Sequence, residues 1–149
     1  NGPQLHKVVE EMFEQLNTAG GVGIAAPQIR HSLQVMIIAS KPNERYPSAP
    51  DMEPLLLINP QIVSASEIKI KDWEGCLSIP GIRALVPRSI EVDVEYQDMS
   101  GNKHKQVFND FVARIFLHEF DHLIGLSFLD SVESNKDIVT EAVFRQMLK

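Results

Sequence analysis

A single cysteine, Cys76, occurs among the 149 residues, so no internal disulfide can form, which fits a reducing compartment. No apolar run comes near the roughly 20 residues that a membrane-crossing helix needs. The start, "NGPQLHKVV", lacks the charged-then-apolar profile of a secretory signal. Basic residues are few and scattered. With 14 Lys and Arg against 20 Asp and Glu, the net charge of −6 leaves no cationic face for nucleic acid. Internal repeats, low-complexity tracts and domain-dividing linkers are also lacking. What remains is one globular domain with a single core, suited to a small or peptidic ligand.

Apolar residues at Leu5, Val8, Val9, Met12, Phe13 and Leu16 recur at helical spacing, and Gly20-Gly21 close that helix. "GVGIAAPQI" follows and reads as neither helix nor regular strand. "LQVMIIAS" reads as a buried strand, and "KPNERYPSAPDMEP", with four of the nine prolines, as a loop or flap. A strand over "LLLINPQIV" is expected to end at Asn59-Pro60, and "EIKIKDW" to alternate as a half-buried strand. "RSIEVDVEYQDMSGNKHKQVF" predicts a hairpin turning near Ser100-Gly101-Asn102. From Asn109 the period becomes helical, with Phe111, Ile115, His118 and His122 on one stripe. Asn109 is the expected N-cap, Asp110 suits the positive helix end, and Gly125 is the stop. A last amphipathic helix is expected from about Asp137 to Leu148. This order predicts an α+β fold: short, mostly antiparallel strands packed around a central helix carrying "HEFDH".

His118 and His122 stand four apart on that helix and can offer two imidazole nitrogens to one ion. Glu119 points about 100° further round the helix, beside such an ion instead of onto it. This is the mechanical content of H-E-x-x-H. By the motif alone, two helical histidines with no metal are an equal reading. A metal site needs a third protein ligand. Position 128, where one protease class has a His, is Phe, and Glu141 is the one rough downstream candidate. Upstream, Cys76 in "EGCLSIPG" offers either a thiolate on an irregular turn or a small buried hydrophobe. "GVGIAAPQ" matches neither a P-loop nor a dinucleotide fingerprint, and a plain turn would explain its glycines. Gln28 among apolar neighbours needs partners, either backbone groups or a ligand oxygen.

Taken together, these segments resemble the peptide deformylase family, whose motifs read G-Φ-G-Φ-A-A-x-Q, E-G-C-Φ-S and H-E-Φ-D-H-Φ, with Φ apolar. "GVGIAAPQ", "EGCLS" and "HEFDHL" match every fixed letter in that order, and the likeness runs from about Gln4 to Asp130, "IRALVPR" included. The resemblance implies one catalytic domain over residues 1–149. Its implied activity is metal-dependent removal of the formyl group from formyl-methionine of new polypeptides, with release of formate. It implies Cys76, His118 and His122 as ligands of one Fe2+, with Zn2+, Ni2+ or Co2+ as substitutes. Glu119 would transfer protons, while Gln28 and the Leu77 backbone N–H would steady the oxyanion. Glu74 and Arg88 are expected to brace the cysteine turn, and Asp121 to orient a histidine or the following turn.

Phe111 and Ile115, seven and three residues before His118, would wall an apolar slot with Val22 and the Gly21 and Gly23 backbone. An unbranched thioether fits such a slot. Backbone at Gly23 and Gly75 could pair with an extended substrate, and Arg83 could touch its second residue or chain end. His6, His31 and His104 read as surface residues. The expected partners are formyl-Met nascent peptides near the ribosome exit, with no nucleic acid and no membrane. The expected state is a monomer in the bacterial cytoplasm, with an organelle as the alternative. The family's usual first strand before the opening helix is absent, so the start reads as trimmed. Arg114 stands where some bacterial members carry an aliphatic residue, and "ARIF" also resembles the mitochondrial and plant-type branch. The competing readings are a metalloprotease using Glu141 and a non-catalytic peptide-binding relic; the presence of both Glu119 and Gln28 argues against the relic.

Overall fold

The structure is a computed structural model that describes residues 2–148. Helix α1 spans Gly2–Ala19 and buries Val8, Val9, Met12 and Leu16, the stripe its periodicity marks. Gly20 ends it at φ +66, a left-handed turn that side chains rarely adopt. Strand β1, Gly23–Ala25, and one 3-10 turn, Ala26–Ile29, occupy the stretch expected to be irregular. Three residues are too few for a period to register; their strand character comes from antiparallel pairing with β2, Val35–Ile38.

All four residues of β2 are buried because both its faces are covered. Met36 and Ile38 share a core with the helix over residues 110–123, while Val35 and Ile37 pack on α1. Strand β3, Leu55–Ala65, does not end at Asn59-Pro60. Asn59 takes φ +51, and the register with β6, Glu91–Gln97, slips between Ile58 and Gln61, so a bulge absorbs the proline that lacks an N–H. The β6–β7 hairpin, closed by β7 at Lys103–Asn109, turns where expected, with Gly101 at φ +84. Asp98 Oδ1 accepts the Ser100 and Asn102 N–H groups there at 2.9 and 3.0 Å.

Between these lie β4, Lys69–Cys76, and β5, Ile79–Ser89, which contains "IRALVPR". Lys69 to Asp72 are exposed, and so is Ile70, contrary to the half-buried strand expected. The apolar cover of this sheet gathers at its other end, where Phe128 packs with Ala84, Val86 and Cys76.

Helix α2, Asp110–Leu123, follows β7 directly. Asn109 holds the N-cap position, but its side chain makes no capping bond, and Asp110 takes φ +52. Gly125, at φ +82, stops the helix as expected. The last helix starts later than the periodicity implies. Residues Ile138–Thr140 form β8, paired with β5, and α3 runs Glu141–Met147 with Thr140 Oγ1 accepting the Val143 N–H. The β-branched run "IVT" favours a strand over a helical turn.

Two sheets result, ordered β1-β2-β3-β6-β7 and β4-β5-β8, with every pairing among the described residues antiparallel. Helix α2 packs on strands of both. Ala113, Phe116 and Leu123 face the larger sheet through Met36, Leu57, Val92, Val94 and Phe108. Each large side chain buried in this way contributes about 1.5–3 kcal/mol. The other flank of α2, with Arg114 and His118, faces β4 and β5 and so meets Cys76.

Candidate active site

The register of β4 on β5 slips between Glu74 and Cys76, a bulge that re-aims the cysteine at the end of the strand. Cys76 Sγ lies 3.3 Å from His122 Nε2, and the donor atoms of Cys76, His118 and His122 all lie within 4.8 Å of one another. Donor atoms on one tetrahedral ion stand about 3.3–3.6 Å apart, given metal–sulfur and metal–nitrogen bonds of about 2.3 and 2.0–2.1 Å. The set therefore fits one first-row divalent ion with slight contraction. Burial opposes charge on Cys76, but hydrogen bonding to the His118 and His122 imidazoles overcomes it and lowers the thiol to about 5. The thiolate is the ligating form.

Glu74 organises this cluster. Its carboxylate receives Arg88 through Nε and Nη2 at 2.9 and 3.0 Å, Arg114 Nη1 at 2.6 Å and His118 Nδ1 at 2.8 Å. Burial pushes the Glu74 carboxyl up, but the bonds from His118 and Arg88 prevail and hold it at about 2. An ionised carboxylate only accepts, so Nδ1 carries the proton and Nε2 is left for an ion. Glu74 and Arg88 thus form the expected pair. Asp121 accepts Arg88 Nη1 at 2.7 Å and so reaches His118 only through Arg88 and Glu74. Arg114 also donates to the carbonyl oxygens of Val86 and Ile70, so it belongs to the support of the site.

Glu119 is 4% exposed, and its Oε1 has no hydrogen-bond partner among the described residues. Burial raises its carboxyl to about 7, against the pull of His118 and His122. Gly23 makes room for it. A Cβ there would stand 2.7 Å from Glu119 Oε2 and 2.8 Å from Ile115 Cγ2. Gln28 Oε1 accepts the Ala25 N–H at 2.8 Å, which turns Nε2 toward Ser78 Oγ at 3.1 Å and Cys76 Sγ at 3.5 Å.

A cavity of about 530 Å3 opens beside the cluster, lined by the predicted Val22, Gly23, Gln28, Gly75, Leu77, Arg83, Phe111 and Ile115. The proline-rich loop adds Tyr46, whose ring lies 4.9 Å from Phe111 and whose hydroxyl donates to Trp73 O. Glu141 is not near the three donor atoms in bonding terms. It is bound to Arg83, at 2.7 and 3.2 Å, which removes it as a third metal ligand. His6 and His104 are exposed, whereas His31 is half-buried and bonded to Glu11. Sequence reasoning missed Tyr46, Ser78 and Phe144 as parts of the site. Tyr46 lay in a loop without periodicity, and Phe144 read only as the apolar face of the last helix.

The polypeptide deformylase family model matches residues 1–137. Peptide deformylase 2 of Nostoc sp. is 50% identical over 97% of this chain and 80% of its own length. Peptide deformylase 2 of Shewanella oneidensis is 48% identical over 85% and 70% respectively. The Met-Ala-Ser-bound crystal structure of class I type b peptide deformylase from Acinetobacter baumannii superposes with a TM-score of 0.86 at 41% identity, covering 89% of this chain and 83% of that one. Peptide deformylase of Plasmodium falciparum superposes at 0.77 with 36% identity, over 97% and 80%. With its fold, its thiol–imidazole cluster and these matches in agreement, the chain belongs to the polypeptide deformylase family, metal-dependent hydrolases that remove the N-terminal formyl group from nascent polypeptides.

Proposed function

We propose that Cys76, His118 and His122 hold one Fe2+, and that Glu119 moves the protons in deformylation of formyl-methionine at the start of a new polypeptide. The observation that carries this reading is the buried Glu119 carboxyl group, with Oε1 unpartnered among the described residues, beside three side chains that could hold a metal ion. Leaving such an atom unsatisfied costs about 1–3 kcal/mol, which a fold tolerates where a reaction uses the atom. When bound, the ion acts as a Lewis acid and brings the pKa of water toward neutrality. A thiolate with two imidazoles suits Fe2+, and Zn2+, Ni2+ or Co2+ as substitutes.

The chain's own groups do the rest. Water adds to the formyl carbon as its proton passes to Glu119 Oε1. The C–N bond then breaks, Glu119 returns the proton to the leaving nitrogen, and formate and a free amine result. Negative charge gathers on the formyl oxygen, where Gln28 Nε2 and the Leu77 backbone N–H donate, each worth roughly 3–4 kcal/mol. Because Ala25 holds Gln28 Oε1, the N–H aimed at Cys76 Sγ is the one free to turn to the substrate. The methionine side chain occupies the slot of Val22, Phe111 and Ile115, and the backbone edges at Gly23 and Gly75 receive the extended chain. Glu74, Arg88 and Asp121 hold the ligands in place. The enzyme works as one domain over residues 1–149, a monomer in the bacterial cytoplasm, near the ribosome exit.

Formate release from formyl-Met-Ala-Ser, after anaerobic loading with Fe2+, tests the reading. Activity is expected to vanish in Cys76→Ala and Glu119→Ala, with the metal retained only in the glutamate variant. A folded, loaded wild type that releases no formate would overturn it.

A further inference from the structure

We infer that Glu141, on α3, is a positioning residue for the substrate: it fixes the Arg83 guanidinium so that its remaining N–H groups donate to main-chain carbonyls of the polypeptide beyond formyl-methionine. The inference rests on the proposed activity. Arg83 lies on β5 and is 5% exposed. Its Nε and Nη2 donate to the two Glu141 oxygens at 2.7 and 3.2 Å, and no other hydrogen bond from this guanidinium occurs among the described residues. Nη1 therefore keeps both of its N–H groups, on a planar fork held from behind.

The fork has a defined seat. The Phe144 ring lies 5.3 Å from Arg83 Cζ, and a Cβ on Gly75 would collide with the guanidinium. Gly75 precedes Cys76, so the free donors stand on the cavity wall one residue from the metal-binding cluster. Nη1 is not sealed from the cavity, so its donors are open to an acceptor that enters it. The formyl group is the first part of its chain and the methionine side chain fills the inner slot. The downstream peptide must then lie along the rest of the cavity, whose wall includes Arg83, Glu141 and Phe144.

Arg45 and Arg145 each approach Glu141 Oε1 to 3.7 Å, so one carboxylate balances a cationic wall and keeps Arg83 from being repelled out of position.

Initial rates on formyl-Met amide and formyl-Met-Ala-Ser amide, with loaded wild type and Glu141→Gln, test the inference; both peptides are amidated, so no terminal carboxylate confounds the contact. The ratio of kcat/KM for the longer peptide to that for the shorter is expected to fall about tenfold in the variant, through a rise in KM for the longer peptide. Glu141→Asp, which keeps the charge, should restore part of the ratio. The affinity for the product Met-Ala-Ser amide, read by calorimetry, should fall alongside. Should Glu141→Gln fail to fold, Arg83→Lys, which keeps the charge but loses the fork, reports the same ratio. An unchanged ratio with rates lowered equally on both peptides overturns the inference and leaves Glu141 a structural brace. No formate from either peptide with folded, loaded wild type overturns the activity itself, and the inference with it.

Discussion

Glu74 and His118, 44 residues apart in sequence, meet at 2.8 Å through Oε1 and Nδ1, inside a site that Arg88 and Arg114 also enter. The carboxylate thus fixes the imidazole's tautomer and orientation while neutralising the Arg114 guanidinium, and it shares Arg88 with Asp121. Glu74→Gln keeps the shape and loses the charge. Metal affinity should fall about 10–100-fold, as is usual when the partner of a metal-binding histidine is weakened. Glu74→Ala strands the buried Arg114 cation, leaves Arg88 with Asp121 alone, and should cost about 3–5 kcal/mol of stability. Chelator competition measures the first effect and urea unfolding the second. A Glu74→Gln protein with wild-type metal affinity would show that His118 needs no orienting partner.

Gly23 and Glu119 set a second expectation. A Cβ on Gly23 would press on both Glu119 Oε2 and Ile115 Cγ2, and Ile115 is buried in the main core. Gly23→Ala should therefore destabilise by about 1–3 kcal/mol through overpacking. It should also lower kcat, because the displaced group is the proton carrier. Gly21, whose nearest neighbour for an added Cβ is the Leu77 side chain at 3.4 Å, serves as the control. Equal activity losses in Gly21→Ala and Gly23→Ala would count against the explanation.

The parts of the site that were legible in sequence are those whose chemistry is set by local spacing. His118, Glu119 and His122 share one helix, so their relation follows from its pitch. The contact between Glu74 and His118 carries no such spacing, and neither does that between Arg83 and Glu141, which joins β5 to α3. Arg114 read as a departure within the pocket, and only its bonds to Glu74, Val86 O and Ile70 O reveal a bracing role. In the fold, α1, β2, the β6–β7 hairpin and α2 follow their patterns. Pro60 does not end β3 because a bulge holds it within the strand, and α3 begins later than its periodicity implies because β8 takes its hydrogen bonds from β5.

Metal removal gives a third prediction. An ion that binds the folded chain and not the unfolded one stabilises it by about 4 kcal/mol at roughly a thousand times its dissociation constant. Unfolding of chelator-stripped protein, repeated with Zn2+ added back, should show a gain of that order in wild type. His122→Ala should lose most of the gain, since two ligands remain. Equal gains in both proteins would place the ion elsewhere.

The Arg83–Glu141 pair predicts a pH dependence of stability. The hydrogen bond from Arg83 holds the Glu141 carboxyl below its ordinary value, and burial opposes it more weakly. A carboxyl with a depressed folded-state pKa binds fewer protons folded than unfolded near that pH, so stability rises with pH there. The contribution is complete above the unfolded carboxylate value of about 4.3 and disappears as pH falls through the depressed one. Glu141→Gln lacks it at every pH. The stability gap between wild type and variant should thus be about 1 kcal/mol at neutral pH, a modest figure because the Glu141 side chain retains 23% exposure. In strong acid the gap should close. Urea titrations of both proteins across the acid range measure it. A gap that persists in acid would mean that the shape of Glu141, and not its charge, seats α3 against the cavity.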